Sequence, residues 1–231
     1  MLSPSGRGAI LAGSQPLAGA ILRRLAGEGV GVALIHSGDP AAAQVLLDTV
    51  QAHPERHCLI EADLSIEEQA KRAVADARKQ LGDLSFSIHL GTESAPVALE
   101  QLVGPAWDAG MLAAKASYLL TLHAGLAMMS NEGPTRGQII EIVPEAVESA
   151  SPELLPQLTA RASISFMTRA FALELSESGV LVNALIAHSD ALEAPVAQDE
   201  LAELIVTMLR LETVTGEELR VDGRIPAEAK K

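Results

Sequence analysis

Few side chains in this 231-residue sequence are suited to moving a proton or holding a phosphate. His89 and His188 carry imidazoles, which change charge near neutrality and can act as bases, although a histidine in a core or loop more often has a satisfied structural role. Glu141 lies between Ile140 and Ile142, so a strand there would bury a carboxylate, as a reactive group or as a hydrogen-bonded structural one. Asp63 follows an apolar run and could meet a ligand or simply cap a helix. Tyr118 is the only phenol in the chain. Gly13 and Gly19 bracket Ser14-Gln15-Pro16-Leu17-Ala18 between an apolar run and an amphipathic one, where a glycine turn can bring a helix N-terminus to a phosphate. Cys58 reads as a small core residue, and the His and Cys spacing has no zinc pattern, so no metal is expected.

These residues need elements to position them. Gly8 to Ala12 reads as a buried strand, Leu17 to Glu28 as a helix stopped at Gly29, and Val30 to His36 as a second strand. Pro40 to His53 reads as a helix, Cys58 to Glu61 as a strand, and Ser65 to Leu81 as a helix with Ser65 and Glu68 spaced as a capping box. Phe86 to Leu90 is the next strand, Trp107 to Met129 a long helix, Gln138 to Val143 a strand and Leu155 to Leu175 a helix. Val180 to Ile186, a short helix over Gln198 to Leu211, and a last strand at Glu218 to Asp222 complete the alternation, with exposed loops at Glu132 to Arg136 and Glu145 to Pro156. Parallel neighbours need a crossover, usually helical, and strands buried on both faces are nearly all apolar. The pattern predicts an α/β fold, a three-layer doubly wound parallel sheet of Rossmann-like form with about seven strands, in a single domain over 1–231.

Composition narrows the function classes. Apolar residues make up 48% of the chain, enough for a substantial core, and no run approaches the length that spans a bilayer. A net charge of −13 disfavours nucleic acid and anionic lipid surfaces as partners. One cysteine cannot close an intrachain disulfide, and the start lacks a signal-peptide pattern, so a cytoplasmic location is expected.

From the first turn onward the chain resembles the short-chain dehydrogenase/reductase superfamily. That family's turn reads T-G-x-x-x-G-x-G; Gly13 and Gly19 fill the outer positions here and Leu17 the middle one. Ala62-Asp63-Leu64 is similar to the acidic segment that meets adenine, and Ile88-His89-Leu90-Gly91 stands where the family has N-N-A-G. Trp107-Asp108 opens the fourth helix, Thr168-Arg169-Ala170-Phe171-Ala172-Leu173-Glu174 is close to T-R-A-L-A-L-E, and Val182-Asn183 is close to R-V-N. Thr215-Gly216 with Val221-Asp222-Gly223 resembles the closing strand, so the likeness runs nearly the full length in order.

The resemblance implies hydride transfer between a nicotinamide and a carbonyl or alcohol, with a tyrosine as acid or base, a lysine four residues later and a polarising serine. Carried over, the serine falls on Pro144, the tyrosine on Gln157, the lysine on Arg161 and the fourth-helix asparagine on Ala114. Tyr118 has Leu122 four residues on, so no Y-x-x-x-K pair exists. A carboxamide offers only hydrogen bonds, a proline side chain offers none, and a guanidinium stays protonated. In the turn, a Leu17 side chain is expected to project into the pyrophosphate space, and Pro16 lacks an N–H for phosphate. His36-Ser37-Gly38 presents neither the ribose-binding acid nor the phosphate-binding arginine, and Ala187-His188 leaves a short lid before the helix near Gln198. No catalytic set and no cofactor are therefore expected; Gly13, Leu17, Gly19, Asp63 and Gly91 read as vestiges of a nucleotide site, with weak NAD(P) binding as the residual alternative.

Met111, Ala114, Tyr118, Leu122, Gly125 and Met129 form one helical stripe and Leu158, Ala162, Phe166, Ala170 and Leu173 another. Part of each must cover the sheet. The resemblance implies that these helices also pair between subunits. The expectation is thus a non-catalytic subunit that assembles through helices 107–129 and 155–175, as a homo- or hetero-oligomer, with a catalytically competent NAD(P)-dependent paralogue that it stabilises or regulates. Two alternatives stand beside it: an enzyme of altered non-redox chemistry using His89, His188 or Glu141, and a nucleotide or ligand sensor using Asp63 and the Gly13 turn.

Overall fold

The computed structural model describes residues 1–13, 16–50, 52–91, 96–144, 152–188, 192 and 195–221. Seven strands form one parallel sheet: β1 (Gly8–Ala12), β2 (Gly31–His36), β3 (His57–Glu61), β4 (Phe86–Leu90), β5 (Gly137–Pro144), β6 (Val180–Ala187) and β7 (Glu218–Val221), in the order β3-β2-β1-β4-β5-β6-β7. The three-layer doubly wound fold read from the sequence is the fold found. Among the described residues, the α-helices that cover it are α1 (Pro16–Gly27), α2 (Pro40–Asp48), α3 (Glu67–Leu81), α4 (Gly104–Met128), α5 (Leu155–Leu175) and α6 (Pro195–Arg210). Among the described residues no helix is long and apolar enough to cross a membrane.

Each strand's alternation divides the core in two. Leu11, Leu34, Ile88, Ile140 and Leu185 face the layer containing α1 and α6, whereas Ile10, Ile35, Ile139 and Val182 face α3, α4 and α5. The strand order reverses between β1 and β4, so the crossovers leaving these strands diverge and open a crevice at their C-terminal ends.

Four local expectations need correction, the first being the start of α4, which lies at Gly104 with Pro105 in its first turn and not at Trp107. The second helix stops at Asp48 rather than His53, because Thr49 closes its end by donating from Oγ1 to Leu46 O at 2.6 Å. Ser65 does not cap α3: the helix begins at Glu67 after Ile66, and Ser65 Oγ donates instead to Asp63 Oδ1 at 2.7 Å. The last helix begins at Pro195, not Gln198, as a proline at a first helical position allows. The foreseen loop over Glu145 to Pro156 lies outside the described residues up to position 151, as does the sequence after Val221.

Candidate functional site

The crevice at the β1/β4 reversal holds a cavity of about 410 Å³. Gly13, His36, Asp63, Ser65, His89 and Leu90 are among its walls, supplied by the ends of β1, β2, β3 and β4, and the α4 side closes it with Leu112, Ala113 and Ala116. Gly13 has φ +122°, and a Cβ there would come 2.9 Å from Leu90 Cβ, so both the backbone conformation and the close approach favour glycine. α1 begins at Pro16, three residues beyond Gly13, which places its positive end beside the cavity.

Leu17 corrects the steric expectation. It is fully buried in the core formed with Leu11, Ile21 and Leu34, and it is not among the residues lining the cavity. Its side chain packs under α1 instead of projecting into the pyrophosphate space. Gly19 is also a packing residue: a Cβ there would meet Leu46 of α2 at 3.3 Å. Asp63 does line the cavity, while its Oδ1 accepts from the N–H of Ser65 at 2.9 Å and its own N–H donates to Gln69 Oε1 at 2.9 Å. His36 Nδ1 lies 3.2 Å from Gly38 O, fixing the ring at the end of β2.

The residues aligned with the family's proton-transfer set form a separate, nearly filled pocket. Pro144, Gln157 and Arg161 meet Gly91, Ala109 and Gly110 around a space of about 30 Å³, room for a single water. Ala113 lines both this pocket and the larger cavity. Ala114 is buried with Val143, Ala160, Ile164 and Ile186. Tyr118 lies elsewhere, on an outer groove with Met111, Ser163 and Met167, its ring tilted against Phe171 at a centroid distance of 5.8 Å. His188 sits past β6, donating its N–H to Val221 O at 2.9 Å, and does not line the cavity. Burial pushes the Cys58 thiol up, which disfavours its thiolate.

His89 and Glu141, separate candidates in the sequence, are brought together. Ala12, His89 and Glu141 lie side by side across β1, β4 and β5. His89 Nδ1 donates to Glu141 Oε2 at 2.9 Å, and Thr121 Oγ1 of α4 donates to Glu141 Oε1 at 2.8 Å. Sequence reasoning missed Thr121, since nothing local in a helical stripe shows which turn faces a strand carboxylate; the signal available was the polar pair itself, which had to find a donor.

Comparison with known proteins gives the cleft its context. The family model described as short chain dehydrogenase matches residues 9–189. Glucose 1-dehydrogenase 2 of Bacillus subtilis (strain 168) is 26% identical over 200 residues, covering 83% of this chain and 75% of that protein. Among solved structures, 3-ketoacyl-(acyl-carrier-protein) reductase from Brucella melitensis complexed with NADH superposes with a TM-score of 0.84 at 21% identity, covering 96% of this chain and 98% of that one. A short chain dehydrogenase from Burkholderia cenocepacia J2315 in complex with NADP gives 0.82 at 20% identity, with the same coverage. These findings overturn two expectations. A non-catalytic subunit is not what the chain resembles, because the matched family model and the glucose dehydrogenase are dehydrogenases. Nor does the expectation of no cofactor stand: the family model matched is that of a dehydrogenase, and the Leu17 obstruction on which that expectation rested is not found. With its sheet order, its cleft and the match over residues 9–189, the chain belongs to the short chain dehydrogenase family.

Proposed function

We propose that the chain is an NAD(P)-dependent oxidoreductase that holds its dinucleotide along the C-terminal edge of the sheet, with the nucleoside end in the cavity between β1, β3 and β4. The observation that carries this is the 410 Å³ cleft at the strand-order reversal, floored by Gly13 and free of the Leu17 side chain. Its residues suit the cofactor: a glycine whose Cβ would fill the cradle, a helix N-terminus for the pyrophosphate, and the polar groups of Asp63, Ser65 and His36 for sugar and base. When bound, a nicotinamide supplies or accepts a hydride. Gln157 and Arg161, where the family has its tyrosine and lysine, can hydrogen-bond into the small space they line but do not exchange a proton near neutrality, so the proton that accompanies the hydride is exchanged with water.

The end of β2 presents His36 and Ser37, neither a carboxylate for a ribose hydroxyl nor an arginine for a 2′-phosphate. Fluorescence titration should therefore show saturable binding of both NADH and NADPH, with affinities within about tenfold of each other. Binding of neither, at millimolar concentration, refutes the proposal. Turnover with a panel of aldehydes and ketones then tests the reaction itself.

We also propose that two copies of this chain associate through the outer faces of α4 and α5. Leu112, Tyr118, Leu126, Phe166 and Leu173 are exposed there, and Asp108 and Lys115 line the same groove two helical turns apart. In an antiparallel pairing about a two-fold axis, the aspartate of each copy would face the lysine of the other.

A further inference from the structure

We propose that the His57 side chain is an acid-released clasp: it fastens the foot of edge strand β3 and the turn before it to β2, and protonation of its Nδ1 frees that edge and loosens the cleft wall that β3 carries. The consequence for the cleft rests on the cofactor reading above; the clasp itself does not. Both ring nitrogens face backbone groups, whose roles are fixed. Nδ1 lies 3.2 Å from the nitrogen of Val32, whose N–H can only donate, and Nε2 lies 3.0 Å from Ala52 O, which can only accept. One form satisfies both contacts, the neutral imidazole with its hydrogen on Nε2. A second proton has only Nδ1 to go to. There it meets the Val32 hydrogen head-on, so charging the ring breaks the contact with β2.

The clasp sits where the sheet has least else to hold it. β3 is at the sheet edge, paired on one side only, and Ile60 is its one buried residue. Val32 and His57 are the first pair of the β2–β3 register, so the imidazole completes the lowest rung between the two strands. In the same turn His53 is held at φ +54°, a left-handed conformation that a side chain other than glycine rarely adopts, and opening the turn relieves it. Burial disfavours the charged ring and holds His57 below its ordinary pKa. Arg56, Glu55 and His53 are the charged groups that act on it from its own segment. α2, on the same side of the sheet, carries only Asp48, which accepts from Gln44 Nε2 at 2.7 Å. α1 carries Arg23 and Arg24, paired with Asp199 and with Glu28 and Glu203, and β2 has no ionisable side chain before His36 at its far end. Arg56 donates to Gly29 O at 2.6 Å and to Gly6 O at 3.0 Å and stays charged, so acid releases the imidazole contact and not this one. At its other end β3 runs into Ala62, Asp63 and Ser65, which line the cleft.

The test is amide hydrogen exchange on the full chain labelled with ¹⁵N, each rate taken relative to an unstructured amide at the same pH. Protection at Val32 should fall about tenfold from pH 7 to pH 5, because the open edge takes up the proton near the ordinary imidazole value and the closed edge does not. At pH 5 its exchange should be indifferent to low urea, the mark of a local opening, while the central amides between β1 and β4 stay better protected and respond to urea. His57→Gln keeps an acceptor and a donor but cannot ionise, and should hold Val32 protection within about twofold over that range. If that variant does not fold, the native chain decides alone. Two-bond ¹H–¹⁵N spectra at pH 7 should show the ring hydrogen on Nε2. A hydrogen on Nδ1, or Val32 exchange that follows urea in step with the central strands, overturns the clasp. NAD at ten times its Kd should slow Val32 exchange at pH 5 about tenfold, since a ligand held against Asp63 and Ser65 favours the closed edge. Unchanged exchange with NAD bound overturns the link to the cleft wall. A chain that binds no NAD at either pH refutes the cofactor reading, and with it that link, while the exchange series still judges the clasp.

Discussion

Leu17 shows how a single side chain can reverse a functional argument. In the linear sequence it occupies a position where a glycine belongs, and volume alone suggests obstruction. Side-chain direction decides otherwise: Leu17 lies on the α1 face that packs against β1 and β2, in the core with Leu11 and Leu34. Leu17→Ala should therefore cost about 2–5 kcal/mol of stability, read by denaturant unfolding, yet leave dinucleotide affinity within about twofold. Marked tightening of binding in that variant would restore the obstruction. Gly13→Ala should do the reverse of Leu17→Ala at the ligand. It forces an alanine to φ +122° with its Cβ 2.9 Å from Leu90 Cβ, costing about 1–3 kcal/mol and weakening the dinucleotide by narrowing the cleft. The identities of Gly13, Asp63 and His89 as candidates were legible from their places at strand ends. That His89 and Glu141 share a hydrogen bond was not, because it depends on the register of two strands 52 residues apart.

Elements were legible where periodicity is long and boundaries where a local signal is unambiguous. The inner strands β1, β2, β4, β5 and β6 followed from mainly apolar runs, since a strand buried on both faces has little polar alternation to confuse it, whereas β3 and β7 at the sheet edges are only partly buried. Ends were harder: Ser65 and Glu68 have capping-box spacing, but the Asp63 carboxylate claims the serine hydroxyl and N–H first, shifting the start of α3. The contact between α4 and α5 was invisible in the sequence. A Cβ on Gly110 would stand 2.4 Å from Pro156 Cβ, so the glycine permits the start of α5 to press against α4 and close the small pocket around Gln157 and Arg161. Gly110→Ala gains about 1 kcal/mol of helix propensity and loses more to overpacking against a rigid ring. A net loss of about 1–2 kcal/mol in chemical denaturation is expected, with the two helices pushed apart.

Across the whole molecule, charge sets how the fold responds to acid and how copies meet. Burial lowers the His57 pKa below its ordinary value, and Nδ1 accepts the N–H of Val32 at 3.2 Å, so the folded protein holds this ring neutral. The unfolded chain binds the proton first as pH falls; this contribution is therefore complete above about pH 6.5 and is lost as pH drops through the lower folded value. Burial alone would raise Glu28, but hydrogen bonds from Arg24 and Arg210, which tie α1 to α6, outweigh it and hold the carboxyl low, adding a loss of the same sign below about pH 4.5. Melting temperature should fall from pH 7 to pH 5, and His57→Asn should flatten that fall. The same net charge of −13 opposes association everywhere except where apolar surface compensates. The α4/α5 face supplies that surface: Phe166 is 66% and Leu173 81% exposed, more than an isolated helix face in water favours. Light scattering should accordingly give a mass of at least twice the 24.1 kDa chain. Phe166→Glu with Leu173→Glu should reduce it to the single chain by placing like charges across the two-fold, without lowering dinucleotide affinity in the cleft on the other side of α4. A native chain that stays at monomer mass up to about 100 μM, a concentration at which interfaces weaker than roughly −5.5 kcal/mol dissociate, would rule out this pairing.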